Sequence, residues 1–209
     1  MKLVIFGATG MMGKELVKQA LFNGDEVKAF GRNVFTENFT EDKKLQLIPG
    51  ALFDEGQVYK AIKGCDAVLS SLGGANDSTD KTRSLGMKNI VLQMKKAGIK
   101  RIIGIGGIGV LDADENGLLM DKEGFPPEYA AVSQEHLKAY HFLKDSELDW
   151  TFVCPPMITA GEATGVFTVA ADQLPAVNKF NILSGDLGLF MLKEQELNQY
   201  VQHRVGISN

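Results

Sequence analysis

Cysteine is scarce: Cys65 and Cys154 are the only two, they lie far apart, and neither belongs to a CxxC pair or has a histidine at ligand spacing. That excludes a disulfide framework and a zinc site as organising features, so no metal is expected and a reducing, cytoplasmic location is. Proline is sparse as well, at 6 residues, and the chain lacks the low apolar content of a disordered segment, with 44% hydrophobic and 23% charged residues. An excess of positive charge is also missing. The net charge of -4 leaves no basic face for a phosphate backbone, so nucleic acid is not an expected partner. Long apolar runs are absent too. The N-terminal run Leu3–Phe6 breaks at Gly7, too early for a secretory segment, and the run from Ile102 to Leu111 holds ten residues with four glycines. A membrane-spanning helix needs about 20 apolar residues, so no membrane segment is expected.

What is present is a series of short, non-alternating runs rich in Val, Ile and Phe: Leu3–Phe6, Val27–Phe30, Leu45–Ile48, Ala67–Leu72, Ile102–Ile105 and Trp150–Cys154. Such runs suit parallel strands buried on both faces. Between them lie stretches of helical period. Leu16, Val17, Ala20 and Leu21 share one face, as do Met87, Ile90, Val91, Met94 and Ala97, and Asn23-Gly24 and Ala97-Gly98 predict left-handed helix ends. The pattern predicts an α/β fold with one doubly wound, mainly parallel sheet. At 209 residues one domain, 1–209, is expected, with βα repeats over 1–154 and a C-terminal extension over 155–209 on the substrate side. The extension carries strand-like pieces at Gly165–Ala170 and Phe180–Leu183, and a helix opening with Ser184 as N-cap. Residues Asp112 to Pro127 break the repeat and predict an exposed loop able to act as a lid.

Gly7-Ala8-Thr9-Gly10-Met11-Met12-Gly13 follows the first strand and opens the first helix. Glycines there allow a tight turn, a close approach of backbone to a pyrophosphate, and close packing of helix on strand, while the helix start offers free N–H groups and a positive dipole end. The chemistry is that of a Rossmann dinucleotide site. The second strand ends Ala29-Phe30-Gly31-Arg32, without the acid that would hold the ribose 2′-hydroxyl of NAD. Arg32 instead offers a planar cationic fork to a 2′-phosphate, so NADP(H) is favoured over NAD(H). The strand ends at Ser70-Ser71-Leu72-Gly73-Gly74 and Gly104-Ile105-Gly106-Gly107 reach the same edge of the sheet, with small residues that leave room for the nicotinamide ribose.

The segments GATGMMGKELVKQALFNGDEVKAFGRN, GCDAVLSSLGGAND, GMKNIVLQMKKAGIKRII, HLKAYHFLKDSELDWTFVCPPMI and SGDLGLFMLK together resemble the atypical short-chain dehydrogenase/reductases, in particular the NmrA-like branch that includes the flavin reductases. The likeness covers nearly the whole chain except Asp112 to Pro127. It implies a seven-stranded core binding NADP(H) and hydride transfer to a small-molecule electron acceptor such as a flavin, a quinone or a tetrapyrrole-like ring. It also implies pyrophosphate contacts at Gly7, Thr9, Gly10, Met11 and Met12, a 2′-phosphate contact at Arg32, adenine near Ala51 and Leu52, and the nicotinamide near Leu72, Gly73, Pro155 and Pro156. The chain departs from the pattern in three places. The third strand ends Pro49-Gly50-Ala51 without an aspartate, and Gly107 and Met157 stand where flavin reductases carry Ser and His.

Better-known short-chain enzymes use a Tyr-x-x-x-Lys pair on the helix before the Trp150 strand. Counting back from Trp150, the Tyr position is Val132 and the Lys position is His136. Tyr129 and Tyr140 lie nearby; Tyr129 has Ser133 four residues on, and Tyr140 has Lys144 but stands eight residues past the counted Tyr position, on the helix face of His136. Ketone reduction makes an alkoxide and needs a positioned acid, whereas a flavin or quinone accepts hydride into a delocalised system and takes its proton later. The expected catalyst therefore works by alignment, with His136 as its one supporting catalytic residue. An alternative is a non-catalytic NmrA-like protein that senses NADP(H). A nucleotide-sugar epimerase shares the glycine motif, but the missing Tyr and the short C-terminal region argue against it.

Overall fold

The computed structural model describes residues 1–75, 79–115 and 117–209. Asn76 and Asp77, which end one of the resembling segments, and Asn116, inside the predicted loop, lie outside the described residues. An eight-stranded sheet is built from β1 (Lys2–Phe6), β2 (Glu26–Gly31), β3 (Leu45–Pro49), β4 (Ala67–Ser70), β5 (Arg101–Ile105), β6 (Asp149–Cys154), β7 (Thr168–Ala171) and β8 (His203–Ser208), in the order β7-β8-β6-β5-β4-β1-β2-β3. Every pairing is parallel except β7 with β8, which sets Val169 against Ile207. The chain runs outward from β1 to β3 and then returns to β4, so strand order reverses between β1 and β4, the place where open α/β sheets bind ligands.

The non-alternating strands are buried on both faces, as their apolar runs predict, except β3 at the sheet edge, where Leu45, Leu47 and Ile48 are only half-buried and Gln46 is exposed. Leu3 and Ile5 pack with Leu16, Val17 and Ala20 of α1 (Met11–Phe22) and with Leu187 and Met191 of α5 (Ser184–Leu197). On the opposite face Val4 and Phe6 pack with Val58 and Ile62 of α2 (Glu55–Ile62), Met87 and Ile90 of α3 (Thr82–Ala97), and Leu143 of α4 (Ala130–Lys144). Each such side chain withdrawn from water contributes about 1.5–3 kcal/mol. Gly24 and Gly98 both take left-handed backbone after α1 and α3, as the sequence predicts.

The strands of the extension begin later than the sequence reading has them, at Thr168 and Asn181, and four further features differ from it. β4 stops at Ser70, where the Ser71 N–H closes the ladder on the carbonyl of Phe6 at 3.0 Å and the Ser71 hydroxyl donates to the same carbonyl at 3.1 Å. α5 begins at Ser184 with Leu183 as N-cap, and the Ser184 hydroxyl pairs with Gly161 of the preceding loop. β8 has no counterpart among the predicted strands: it opens on His203-Arg204 and holds Gly206, so its apolar run is too short to stand out. With the antiparallel β7 it makes the sheet one strand wider than the seven the resemblance implies. The segment from Asp112 is structured rather than irregular, with Asp112–Asp114 pairing antiparallel to Gly117–Leu118 before short helical turns at Leu119–Asp121 and Pro127–Tyr129. Arg204 anchors it by donating to both carboxylate oxygens of Asp112, at 2.9 and 2.8 Å.

A buried ion pair fastens α5 at the other end of the sheet. Arg101 donates to the carbonyl and the Oε1 of Glu194, both at 2.8 Å, and Glu194 also accepts from the N–H groups of Gln199 and Tyr200. Among the described residues no helix is long and apolar enough to cross a membrane.

Candidate dinucleotide site

The C-terminal ends of β1, β2, β4, β5 and β6 open into one cleft of about 1230 Å³. Its floor at the switch point is the glycine turn. Gly10 is the N-cap of α1 with no side-chain cap, and the first turn holds no acid, so the leading N–H groups of the helix meet no anion of the protein's own. Gly7, Thr9, Gly10, Met11 and Met12 line the cleft. Gly13, expected as a cofactor contact, does not. It is buried behind the turn, where an added Cβ would overlap the carbonyl oxygen of Gly7 and stand 2.6 Å from the Cα of Ala8, so its role is to let α1 close on the strand.

Arg32 lines the cleft beyond the end of β2, is exposed, and makes no hydrogen bond or ion pair among the described residues. Ala51 and Leu52 line the same end. The Ala51 N–H is already taken by Gln57 Oε1, at 2.7 Å, and the Leu52 carbonyl by Asn89 Nδ2, at 2.8 Å, which fixes this loop against α2 and α3 and leaves mainly apolar surface toward a base. Leu72, Gly73, Pro155 and Pro156 line the other half, together with Gly106 and Gly107 after β5.

Val132 and His136 both line the cleft, so counting back from Trp150 finds the right helix face. His136 is 8% exposed and its Nδ1 has no hydrogen-bond partner among the described residues. Burial, and then the positive charge of Arg83, push its pKa down to about 3 against a smaller opposing pull from Glu135. The ring is therefore neutral throughout the physiological range. Burial pushes the Glu135 carboxyl up, but the Ser84 hydroxyl and the ammonium groups of Lys138 and Lys81 outweigh it and hold the group below the usual carboxylate range. Tyr140 lies outside the cleft lining, stacked on Phe152 with the Arg204 guanidinium 5.0 Å from its ring centre. Cys154 is fully buried, its thiol pushed up to about 12 by burial, and has no part in the cleft.

The predicted loop does border the cleft, through Leu119, Glu123, Gly124, Phe125 and Pro126. The extension does so through Met157, Ile158, Leu174 and Phe180, while its helix α5 packs on the far face against α1. Sequence reasoning missed Arg83, Tyr129 and Phe180 as lining residues. Tyr129 had a visible signal, since it stands one helical turn before Ser133 and close to the position where a tyrosine was sought. Among the described residues no cluster of His, Cys, Asp and Glu is arranged to hold a metal ion.

A glycine turn feeding an uncapped helix at the switch point of a parallel sheet defines a Rossmann-type dinucleotide-binding protein. The chain belongs to the NAD(P)H-binding family, which it matches over residues 7–194. It is 28% identical over 211 residues to the uncharacterised protein YwnB of Bacillus subtilis, covering 98% of this chain and 96% of that one. Among solved structures, a Streptococcus pneumoniae protein provisionally named an NADH-flavin reductase superposes with a TM-score of 0.85 at 26% identity, over 100% of this chain and 99% of that one. A Bacteroides thetaiotaomicron protein provisionally named an epimerase gives a TM-score of 0.84 at 28% identity, over 99% and 96%.

Proposed function

We propose that the protein is a cytoplasmic NADPH-dependent reductase that passes hydride to a flavin, a quinone or a similar delocalised acceptor. One observation carries the reading: the cleft runs from the glycine turn past Gly106 and Gly107 to His136, and the two positions where a carbonyl reductase keeps Tyr and Lys are Val132 and a histidine held neutral. Val132 has no proton to give. His136, with a pKa of about 3, is a neutral imidazole at neutral pH and lacks the acidic proton of an imidazolium. Such a site suits an acceptor that tolerates the negative charge of an added hydride until water protonates it.

The cradle fits the dinucleotide. The N–H groups of Met11 and Met12 would hold the pyrophosphate, Arg32 the 2′-phosphate, and Ala51 and Leu52 the adenine face. Leu72, Gly73, Pro155 and Pro156 would flank the nicotinamide, and His136 would press a neutral ring against the ribose or the acceptor. Bound NADPH supplies a hydride, which is two electrons and one proton, and the second proton of the reduced acceptor comes from water. The name of the Streptococcus pneumoniae neighbour supports this chemistry.

The test follows NADPH absorbance with FMN, a benzoquinone and a dichlorophenol dye as separate acceptors. Oxidation with at least one is expected. Tight NADPH binding with no oxidation by any of them would replace this reading with that of a sensor that holds NADP(H) without turnover.

A further inference from the structure

Past His136 the cleft ends among residues from the two segments that stand outside the βα repeats. Phe125 and Tyr129 come from the stretch before α4, and Met157 and Phe180 from the extension. Tyr129, Met157 and Phe180 keep 47%, 63% and 59% of their surface exposed, which is costly in water unless something apolar covers them. Phe180 has a second peculiarity. Its backbone is left-handed, with φ of 52°, a region that a bulky residue rarely occupies. It is held there by its N–H donating to Asn178 Oδ1 at 2.7 Å and by the pairing of the next residue, Asn181, with Met157. Backbone strain of this kind collects at ligand clamps.

Charge is distributed unevenly along the cleft. Its only ionised lining side chains among the described residues are Arg32, Arg83 and Glu123. Arg32 belongs to the adenosine end, and Arg83 donates to the carbonyls of Gly74 and Ala75, at 3.1 and 3.0 Å, where it holds the loop after β4. Glu123 is left at the aromatic end without a cationic partner among the described residues, and Lys122, next to it in the chain, is engaged with Asp114.

We infer that this end of the cleft is the acceptor subsite and that it selects a flat, uncharged aromatic ring system, such as a quinone or an unphosphorylated isoalloxazine, over an anionic one such as FMN. The inference rests on the reductase reading above. Exposed aromatic rings and a methionine supply stacking area to any such ring, whereas Glu123 opposes a phosphate attached to it.

Riboflavin and FMN share their ring and differ in the phosphate, so the pair isolates that charge. Flavin fluorescence is titrated with the protein saturated with NADP⁺. Riboflavin is expected to bind about fivefold more tightly than FMN at low salt, with the gap closing as salt screens the charges. Glu123→Lys should invert the preference, and Phe180→Ala should weaken both flavins by about tenfold while leaving NADPH affinity unchanged. Tyr129→Ala, also at an exposed position, is the second variant should Phe180→Ala fail to fold. Equal or tighter binding of FMN, wild-type flavin binding by both aromatic variants, or no binding of either flavin would overturn the inference. Riboflavin bound in preference to FMN, with no acceptor reduced, would sink the reductase reading and leave the subsite standing.

Discussion

His136 is fitted against Gly107: a Cβ on that glycine would stand 3.1 Å from Cδ2 of the ring and 3.4 Å from Nε2. The fit explains the neutrality of the ring. Gly107 on one side and Phe152 at 6.4 Å between ring centres bury the ring, Nδ1 has no partner among the described residues, and burial together with the charge of Arg83 outweighs the pull of Glu135 toward an imidazolium.

That neutrality has a consequence for stability. Folding lowers the His136 pKa from 6.5 to about 3, so between those values the unfolded chain binds a proton that the folded chain refuses. Stability therefore rises with pH through that window, is complete above pH 6.5, and falls on acidification by as much as about 1.4 kcal/mol per pH unit from this group. His136→Leu removes the titration. Urea unfolding at pH 7 and at pH 4.5 should show wild type losing about 2 kcal/mol more than the variant over that interval. Equal losses would mean that the ring is protonated in the native state and that Glu135, Arg83, Lys81 and Lys138 balance differently around it.

What the sequence made legible is local. Leu3–Phe6, the glycine turn and α1 are contiguous, and their roles follow from neighbours within a few turns. Val132 and His136 could be placed because α4 leads directly into β6, so a count from Trp150 carries the right helical phase. β8 was not legible, because Arg204 is explained by Asp112, Asp172 and the Val110 carbonyl, which arrive from distant parts of the chain. Phe180 reads in sequence as one aromatic in a polar stretch. Its place in the cleft depends on the pairing of Asn181–Leu183 with Met157–Thr159, which no short-range pattern announces.

Gly13 shows how a correct motif can carry a wrong assignment. It sits in the glycine turn and yet faces away from the cleft, so its substitution should act on packing before binding. Gly13→Ala drives a methyl group into the carbonyl of Gly7 and the Cα of Ala8, both backbone atoms with no rotamer to yield, and should cost about 2–4 kcal/mol of stability. Gly56→Ala is the control. It lies in α2 with the Asp54 carboxylate 3.4 Å from the added Cβ, and should leave stability within about 0.5 kcal/mol of wild type or raise it. Thermal unfolding of the two variants separates the cases, and a Gly13→Ala protein as stable as wild type would show that α1 does not need this close approach.

Arg32 is the residue on which the proposed preference for NADPH over NADH rests. It is exposed at the cleft, with no hydrogen bond or ion pair among the described residues to occupy its guanidinium, so binding a phosphate there breaks no existing interaction. A hydrogen bond to a charged group is worth about 1.5–3 kcal/mol, so Arg32→Ala should weaken NADPH binding by about 10- to 100-fold. NADH, which has a hydroxyl in place of the phosphate, should bind the variant almost as it binds wild type. Arg32→Asp should go further and favour NADH outright, because a carboxylate accepts from the ribose hydroxyl and repels the phosphate. Nicotinamide fluorescence titrations with both dinucleotides give the ratio directly. Arg32 would lose this role if Arg32→Ala weakened the two dinucleotides equally, and the 2′-phosphate would then need a different partner along the rim between Arg32 and Phe53.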